Sequence, residues 1–152
     1  ELRRMKYILV IHGPNLNLLG EREPDVYGTE DFRSLNRRLR EKATEIGARL
    51  SFFQSNSEGE IIDFLHDHRV DADGVIINPG GLTHTSIALR DALAAVGVPA
   101  VEVHISDISK REDFRRRSFV RDVCIDSIAG AGTEGYLIAL ERLARHIGAT
   151  GS

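Results

Sequence analysis

The chain has 152 residues, a length typical of one compact domain rather than two. Its composition, 41% hydrophobic and 28% charged, is that of a chain that buries an ordinary core, which excludes an intrinsically disordered protein. The 20 basic and 23 acidic residues give a net charge of −3, so no overall positive charge favours a nucleic-acid partner.

Several absences in the sequence narrow the class of protein. No apolar run approaches the roughly 20 residues that span a bilayer, and the sequence does not open on a secretory leader. Cys124 is the single cysteine, so no intrachain disulfide can form. His66 and His68, two positions apart, would face different sides of a helix and so make no metal-binding pair. We expect a soluble cytoplasmic protein, folded as a single domain over residues 1–152, with no membrane, nucleic-acid or metal partner.

Short β-rich runs alternate along the chain with stretches of helical periodicity. Residues 7–11 form a continuous apolar run, as expected of a strand that is buried on both faces. Apolar residues spaced by three or four predict helices. In chain order, the predicted elements are strand 7–11, helix 32–46, strand 49–54, helix 58–69, strand 74–78, helix 85–96, strand 99–104, strand 123–129 and helix 136–147. This alternation predicts an α/β fold with a five-stranded parallel sheet, right-handed crossovers and helices on both faces.

Polar residues follow three of the predicted strands directly. Asn15 follows the first strand, Asn78 ends the third with His84 close behind, and His104 ends the fourth. Ligands of open parallel sheets bind beyond the carboxyl ends of the strands, so these side chains are expected along one rim. Amides and imidazoles in such a position suit a small, oxygen-rich ligand.

Two of these residues have purely structural alternatives. Asn15 could serve only the turn that follows Pro14. His84 could belong only to the first turn of a helix capped by Thr83 or Thr85. His104 ends an apolar strand, where a structural residue would normally be aliphatic, so its position favours a functional role.

The connection from residue 20 to residue 31 is longer and more polar than most strand-to-helix connections, which is typical of a lid or binding loop. It contains Arg22 and Tyr27, and an arginine held close to a phenol favours the phenolate, which would make Tyr27 a base. The alternative is that Tyr27 only packs at a turn. A tyrosine base, a histidine acid and amide donors together suit removal of a proton beside a carbonyl and loss of a β-hydroxyl as water.

Three further patterns are weaker. Residues 130–135 match the spaced glycines of a dinucleotide site, but on the last strand–helix unit instead of the first, so close helix packing explains them. An arginine cluster could indicate phosphate or RNA, yet we expect one member to line the pocket and the others to make surface or subunit contacts. No lysine is placed for an imine, which favours an enolate intermediate. The cluster is Arg111, Arg115, Arg116, Arg117 and Arg121, and the lysines are Lys6, Lys42 and Lys110.

Five segments of the chain form a characteristic series. They are Gly13-Pro14-Asn15-Leu16-Asn17-Leu18-Leu19-Gly20, Arg22-Glu23-Pro24 with Tyr27-Gly28, Gln54-Ser55-Asn56 with Glu58-Gly59-Glu60, Asn78-Pro79-Gly80-Gly81 with Thr83-His84-Thr85-Ser86, and Val101-Glu102-Val103-His104-Ile105-Ser106. In this order they resemble the type II 3-dehydroquinate dehydratases over nearly the whole chain. The resemblance implies a flavodoxin-like three-layer sandwich and a cofactor-free lyase of the shikimate pathway, which leads to the aromatic amino acids. Such a lyase converts 3-dehydroquinate to 3-dehydroshikimate by anti elimination through an enolate.

The resemblance also implies roles for individual residues. Tyr27 removes the proton with help from Arg22, and Asn15 helps to hold a water against the enolate oxygen. His104 protonates the leaving hydroxyl, and Glu102 supports its orientation. The implied substrate contacts are Asn78 and the backbone N–H groups of Ile105 and Ser106 for the carboxylate, His84 and Arg115 for ring hydroxyls, and Asp91 from a neighbouring subunit. Trimers assembled into a homododecamer are implied as well.

The chain departs from the usual pattern of these enzymes at several positions. His12 stands where many members have asparagine, and the other departures are Ser57, Asp107, Arg117, Phe119 and the pair Thr133-Glu134. None is a proposed catalytic group, so they bear on loop packing and subunit contacts. Two other functions stay open: a non-catalytic flavodoxin-like module that binds a nucleotide or metabolite, and a cofactor-free dehydratase or isomerase of a related cyclic hydroxy-ketone.

Overall fold

The structure, a computed structural model, describes residues 4–21 and 23–149. Its elements in chain order are β1 (Lys6–His12), α1 (Pro24–Tyr27), α2 (Phe32–Ile46), β2 (Ala48–Gln54), α3 (Glu58–Asp67), β3 (Gly74–Asn78), α4 (Ile87–Val96), β4 (Ala100–His104), β5 (Asp126–Ala129) and α5 (Glu134–Ile147). Short 3-10 helices lie at Leu16–Leu18, Gly80–His84, Ile108–Lys110, Asp113–Arg115 and Arg121–Val123. In this part of the chain no helix combines the length and apolar character needed to span a membrane.

The five strands form one parallel sheet in the order β2-β1-β3-β4-β5. The chain moves outward from β1 to β2 and then returns to build β3, β4 and β5 on the other side, so the strand order reverses between β1 and β3. This is the flavodoxin-like order, in which ligands bind at that reversal. The predicted α/β fold with a five-stranded parallel sheet is therefore confirmed.

Helices cover both faces of the sheet, and alternate residues of β1 face the two sides. Ile8 and Val10 pack with α2 and α5, whereas Leu9 and Ile11 pack with α3 and α4. Each such side chain, when fully buried, contributes roughly 1.5–3 kcal/mol of transfer free energy. Burial on both faces explains why the strand is a continuous apolar run and not an alternating one.

Several boundaries differ from the predicted ones because local capping decides them. Ser86 accepts a hydrogen bond from the Leu89 N–H, so α4 begins at Ile87 and not at the predicted residue 85, and neither Thr83 nor Thr85 caps it. The fifth strand, predicted from residue 123, begins at Asp126, since residues 121–123 form a 3-10 turn. Helix α3 ends two residues earlier than predicted, at Asp67, and α5 begins two residues earlier.

Gly13 is required where the loop after β1 crosses the end of β3. Its N–H donates to the Asn78 carbonyl at 2.8 Å. A Cβ atom on Gly13 would lie 2.3 Å from the Pro79 carbonyl oxygen and 2.5 Å from the carbon of that carbonyl. Because the contact is with backbone, no side chain can turn away to relieve it.

We expect Gly13→Ala to lower the free energy of unfolding by about 1–3 kcal/mol, since the β1 loop and β3 must separate to admit the methyl group. Gly81→Ala is the matched control, because a Cβ there meets no described atom within 4 Å. Urea unfolding followed by circular dichroism measures both variants. Equal losses of stability would contradict the close contact at Gly13.

Candidate active site

A cavity of about 150 Å³ opens at the carboxyl edge of the sheet, where the strand order reverses. Its walls come from the ends of β1, β3 and β4, from α1 and from the loop after β4. The predicted site residues that line it are Asn15, Tyr27, Asn78, His84, His104, Ile105, Ser106 and Arg115. Side chains separated by up to a hundred residues in the sequence therefore share one small space.

Two predicted site residues that the structure describes do not line this cavity. Glu102 is fully buried behind His104. Asp91 is exposed on α4, and it is not among the residues that line the cavity. Arg22 lies outside the described residues, so its predicted part in the site stays a prediction.

Asn15 serves the turn after β1 and the cavity at the same time. Its backbone has φ 70°, a left-handed conformation that asparagine tolerates better than most residues. Its N–H donates to Asn56 Oδ1 at 2.9 Å, and Gln54 Nε2 donates to the same oxygen at 3.2 Å. The ends of β1 and β2 are thereby tied together, and the structural and functional interpretations of Asn15 are compatible.

The His104 imidazole is held from behind by a buried carboxylate. His104 Nε2 lies 2.6 Å from Glu102 Oε2, and Glu102 also accepts hydrogen bonds from the Ser118 and Ser127 hydroxyls. Burial acts to raise the pKa of Glu102, but the hydrogen bond and charge of His104 together with the two serines outweigh it and lower the pKa to about 2. The carboxylate is therefore ionised at neutral pH and Nε2 is the donor, which leaves Nδ1 to exchange a proton with a ligand.

His84 reaches the cavity in a defined tautomer. Its Nδ1 lies 2.7 Å from the Arg117 carbonyl oxygen, which can only accept, so Nδ1 carries the hydrogen. Burial lowers the pKa of His84, and the nearby His104 and Arg115 act in the same direction, while the bond to Arg117 opposes them. The ring is thus neutral at pH 7, and its Nε2 is suited to accept a hydrogen bond from a hydroxyl.

Arg111 contacts the Tyr27 phenol, and the sequence interpretation did not single it out. Arg111 Nη1 donates to Tyr27 Oη at 3.3 Å and to Ser106 Oγ at 3.0 Å. The hydrogen bond to Tyr27 raises the pKa of Arg111 further. A guanidinium in this position stabilises negative charge on the phenol oxygen.

The expectation that one arginine of the cluster lines the pocket is wrong, because both Arg111 and Arg115 do. Arg116 instead pairs with Asp113 at the surface, at 2.9 Å. The only sequence signal for Arg111 was its membership of the cluster. Its contact with Tyr27 joins residues 84 positions apart.

Glu30 anchors the residues that follow α1. Glu30 accepts hydrogen bonds from Ser34 Oγ at 2.9 Å, from Arg38 Nη1 at 2.7 Å and from Thr133 Oγ1 at 2.6 Å. The segment that carries Tyr27 is therefore tied to α2 and to the loop before α5. Thr133, one of the departures from the usual pattern, takes part in this anchor.

The spaced glycines of residues 130–135 pack against the end of β4. The Gly130 N–H donates to the His104 and Ser106 carbonyls at 3.3 and 3.2 Å, and the Gly132 N–H donates to the Ile105 carbonyl at 3.0 Å. Any residue with a backbone N–H could make these hydrogen bonds, and it is the left-handed backbone, with φ 82° at Gly130 and 63° at Gly132, that favours glycine at both positions. The hydrogen bonds also support the segment that follows His104.

Comparison with known proteins places the chain in a family. The family model described as dehydroquinase class II matches residues 6–144. The 3-dehydroquinate dehydratase of Halothermothrix orenii is 60% identical over 139 residues, which is 91% of this chain and 94% of that protein. The type II dehydroquinase structure from Butyrivibrio crossotus has a TM-score of 0.90 at 43% identity, over 91% of this chain and 97% of that one. The corresponding structure from Propionibacterium acnes has a TM-score of 0.89 at 42% identity, over 94% and 99%. The chain therefore belongs to the dehydroquinase class II family.

Proposed function

We propose that the protein converts 3-dehydroquinate to 3-dehydroshikimate by anti elimination of water through an enolate, without a cofactor. Membership of the dehydroquinase class II family supports dehydration of 3-dehydroquinate, a step of the shikimate pathway. One observation carries the proposed mechanism: a phenol, Tyr27, and an imidazole, His104, line the same cavity at the edge of the sheet.

In the first step the Tyr27 phenolate removes the proton beside the ring carbonyl. Arg111, 3.3 Å from the phenol oxygen, stabilises the negative charge before the transfer. The electron pair of the broken C–H bond forms the enolate, whose charge resides on the former carbonyl oxygen. Asn15 holds a water against that oxygen, and Arg22 assists Tyr27.

In the second step the enolate collapses to the conjugated enone and the β C–O bond breaks. His104 donates its Nδ1 proton to the departing oxygen, which leaves as water. The ionised Glu102 at Nε2 stabilises the imidazolium and fixes its orientation. Tyr27 acts from the 20–31 segment and His104 from the sheet edge, an arrangement that suits loss of the proton and the hydroxyl from opposite faces of the ring.

The remaining cavity residues bind the substrate. Asn78 and the backbone N–H groups of Ile105 and Ser106 bind its carboxylate, while His84 and Arg115 bind ring hydroxyls. The neutral His84 offers Nε2 as an acceptor, because its Nδ1–H is already bound to a backbone carbonyl. The site thus presents donors to the charged group of the substrate and an acceptor to a hydroxyl.

Tyr27→Phe and His104→Ala are each expected to lower kcat by about 10²- to 10⁴-fold, because each removes one proton-transfer group. Appearance of the conjugated enone, followed by ultraviolet absorbance after addition of 3-dehydroquinate, measures the rate. Matched controls are Tyr7→Phe, whose phenol bonds to Ser51, and His66→Ala, an exposed position on α3. Near-normal turnover in either test variant would reject that residue's role.

Binding of NAD or FMN without turnover of 3-dehydroquinate would favour the non-catalytic module instead.

Arg111→Met is expected to lower kcat by about 10²- to 10³-fold, since it removes a preorganised charge beside the base. Arg142→Met is the control, because it removes an exposed arginine that pairs with Asp126 and does not line the cavity. Steady-state kinetics with 3-dehydroquinate measure both variants. Equal rates for the two would mean that Arg111 does not assist Tyr27.

We also propose a cytoplasmic homododecamer built from trimers, in which Asp91 reaches the site of a neighbouring subunit. Asp91 is exposed on α4 and is absent from the residues that line its own cavity, so it is available to a second copy. Sedimentation velocity should give about twelve times the mass of one chain for such an assembly.

The shared site is tested by co-expressing Asp91→Ala and His104→Ala chains. If Asp91 acts across the interface, random mixing restores roughly a quarter of the wild-type sites, because each intact site needs one chain of each kind in the correct order. Turnover in the mixture should then exceed that of either variant alone. A mixture that is no more active than the better variant would mean that Asp91 does not act in a neighbouring site.

A further inference from the structure

His12 is a fully buried imidazole that the proposed mechanism does not use. It ends β1 and lies opposite Asn78 in the β1–β3 register. Buried polar atoms must find partners within the protein. Both ring nitrogens do: Nε2 lies 2.9 Å from Asn36 Oδ1, and Nδ1 lies 3.0 Å from the Tyr136 hydroxyl.

The chemistry of its partners fixes the direction of both hydrogen bonds of His12. The Asn36 amide oxygen can only accept, so Nε2 carries the hydrogen. Burial lowers the pKa of His12 to about 4, against a smaller opposing effect of the Asn36 bond, so the ring is neutral and Nδ1 is an acceptor. Tyr136 is therefore the donor in its bond to His12.

The hydrogen bond from Tyr136 to His12 in turn determines which end of the Asn78 amide faces Tyr136. Burial raises the pKa of the Tyr136 phenol, and a hydrogen bond from the Asn78 side chain acts against that rise. Since Tyr136 has given its only proton to His12, its oxygen accepts, and Asn78 must turn its NH₂ group toward it. At the other end of the amide, Asn78 Oδ1 accepts from the Gly80 N–H at 3.1 Å.

We propose that His12 is a positioning residue for substrate binding, which acts through Tyr136 to fix the orientation of the Asn78 amide. One N–H of the amide then faces Tyr136, and the second stays available to the cavity that Asn78 lines. This inference rests on the proposed function, in which Asn78 binds the substrate carboxylate. The inference gives a role in the site to His12, a position where many members of the family have asparagine.

Replacing His12 with an apolar residue changes the direction of the whole chain of hydrogen bonds. The Tyr136 hydroxyl then has no acceptor at His12, and Asn78 can supply one only by turning its amide over. That rotation loses the Gly80 N–H bond and points the amide oxygen toward Tyr136. The ring contacts and hydrogen bonds of His12 are made with Phe32 and Asn36 of α2, Phe52 of β2 and Tyr136 of α5, all uncharged at neutral pH.

The test compares KM and kcat for 3-dehydroquinate in His12→Leu, His12→Asn and Tyr136→Phe. We expect His12→Leu to raise KM by roughly tenfold to a hundredfold, the loss of one hydrogen bond to a charged group. Tyr136→Phe removes one of the two contacts that hold the amide and keeps the Gly80 bond, so we expect it to raise KM by a smaller factor. The change in kcat is smaller in both variants because the proposed acid and base are untouched. His12→Asn keeps one acceptor and one donor, and we expect it to restore a KM close to that of the wild type.

The same substitutions in a His104→Ala background give the dissociation constant of 3-dehydroquinate by calorimetry, without turnover. Tyr7→Phe is the structural control, because it also removes a phenol bond from a buried tyrosine, at 3% exposure, on the same sheet. Tyr136→Phe changes little volume, so it tests the proposal even if His12→Leu fails to fold. We expect Tyr7→Phe to leave KM unchanged.

The outcomes separate the two proposals. A wild type that turns over 3-dehydroquinate, with KM unchanged in Tyr136→Phe or with His12→Asn as impaired as His12→Leu, overturns the role of His12 alone. Loss of kcat at constant KM would also overturn it. A wild type that neither binds nor turns over 3-dehydroquinate overturns the proposed function and this inference with it.

Discussion

The site depends on the parallel register of β1, β3 and β4, which end at the same edge of the sheet. β1 pairs with β3 up to His12 opposite Asn78, and β3 pairs with β4 up to Ile77 opposite Glu102. A slip of one residue would turn every side chain of a strand to the opposite face, and both faces here are filled by helices. The positions of the polar residues at the edge are therefore set by the apolar residues that precede them.

The second constraint is the buried charge of Glu102. An ionised carboxylate without partners costs several kcal/mol to bury, so Glu102 must collect donors. His104, two residues later, shares its face of β4, Ser127 comes from β5 and Ser118 from the loop between them. The orientation of His104 and the path of this loop are thus coupled. Because the same loop supplies Arg111, the carboxylate that holds His104 also helps to place the charge beside Tyr27.

The sequence predicted best those features that rest on local patterns. The strands β1, β3 and β4 are short runs buried along nearly their whole length, and together with β2 they were located within two residues of their ends. The fifth was placed too early, since Val123 belongs to a 3-10 turn that no periodicity reveals. Asn78 and His104 could be inferred because they end such runs.

The parts of the site that depend on loop paths were harder to predict. Arg111 was one of five similar arginines, and only the three-dimensional path of a loop with short 3-10 turns brings it to Tyr27. In the sequence, a turn role and a ligand-binding role for Asn15 are alternatives, because an asparagine after a strand is typical of both a left-handed turn and a binding site. For His12 the sequence showed a departure, but its partners Asn36 and Tyr136 lie 24 and 124 residues away.

The proposed acid and the proposed base lie on segments of the chain that differ in how much apolar surface they bury. His104 is buried on a strand in the sheet, whereas Tyr27 ends a one-turn helix with no buried residue, bounded by the left-handed backbone of Glu23 and Gly28. Segments with little apolar burial open at low free-energy cost, and the polar contacts of Glu30 tie this one to α2 and to the loop before α5. Opening would remove the base but leave the carboxylate-binding edge and the acid intact. Such an arrangement suits an elimination that releases water. The sheet edge can hold the substrate ring while the segment that carries Tyr27 opens to admit substrate and to let water leave.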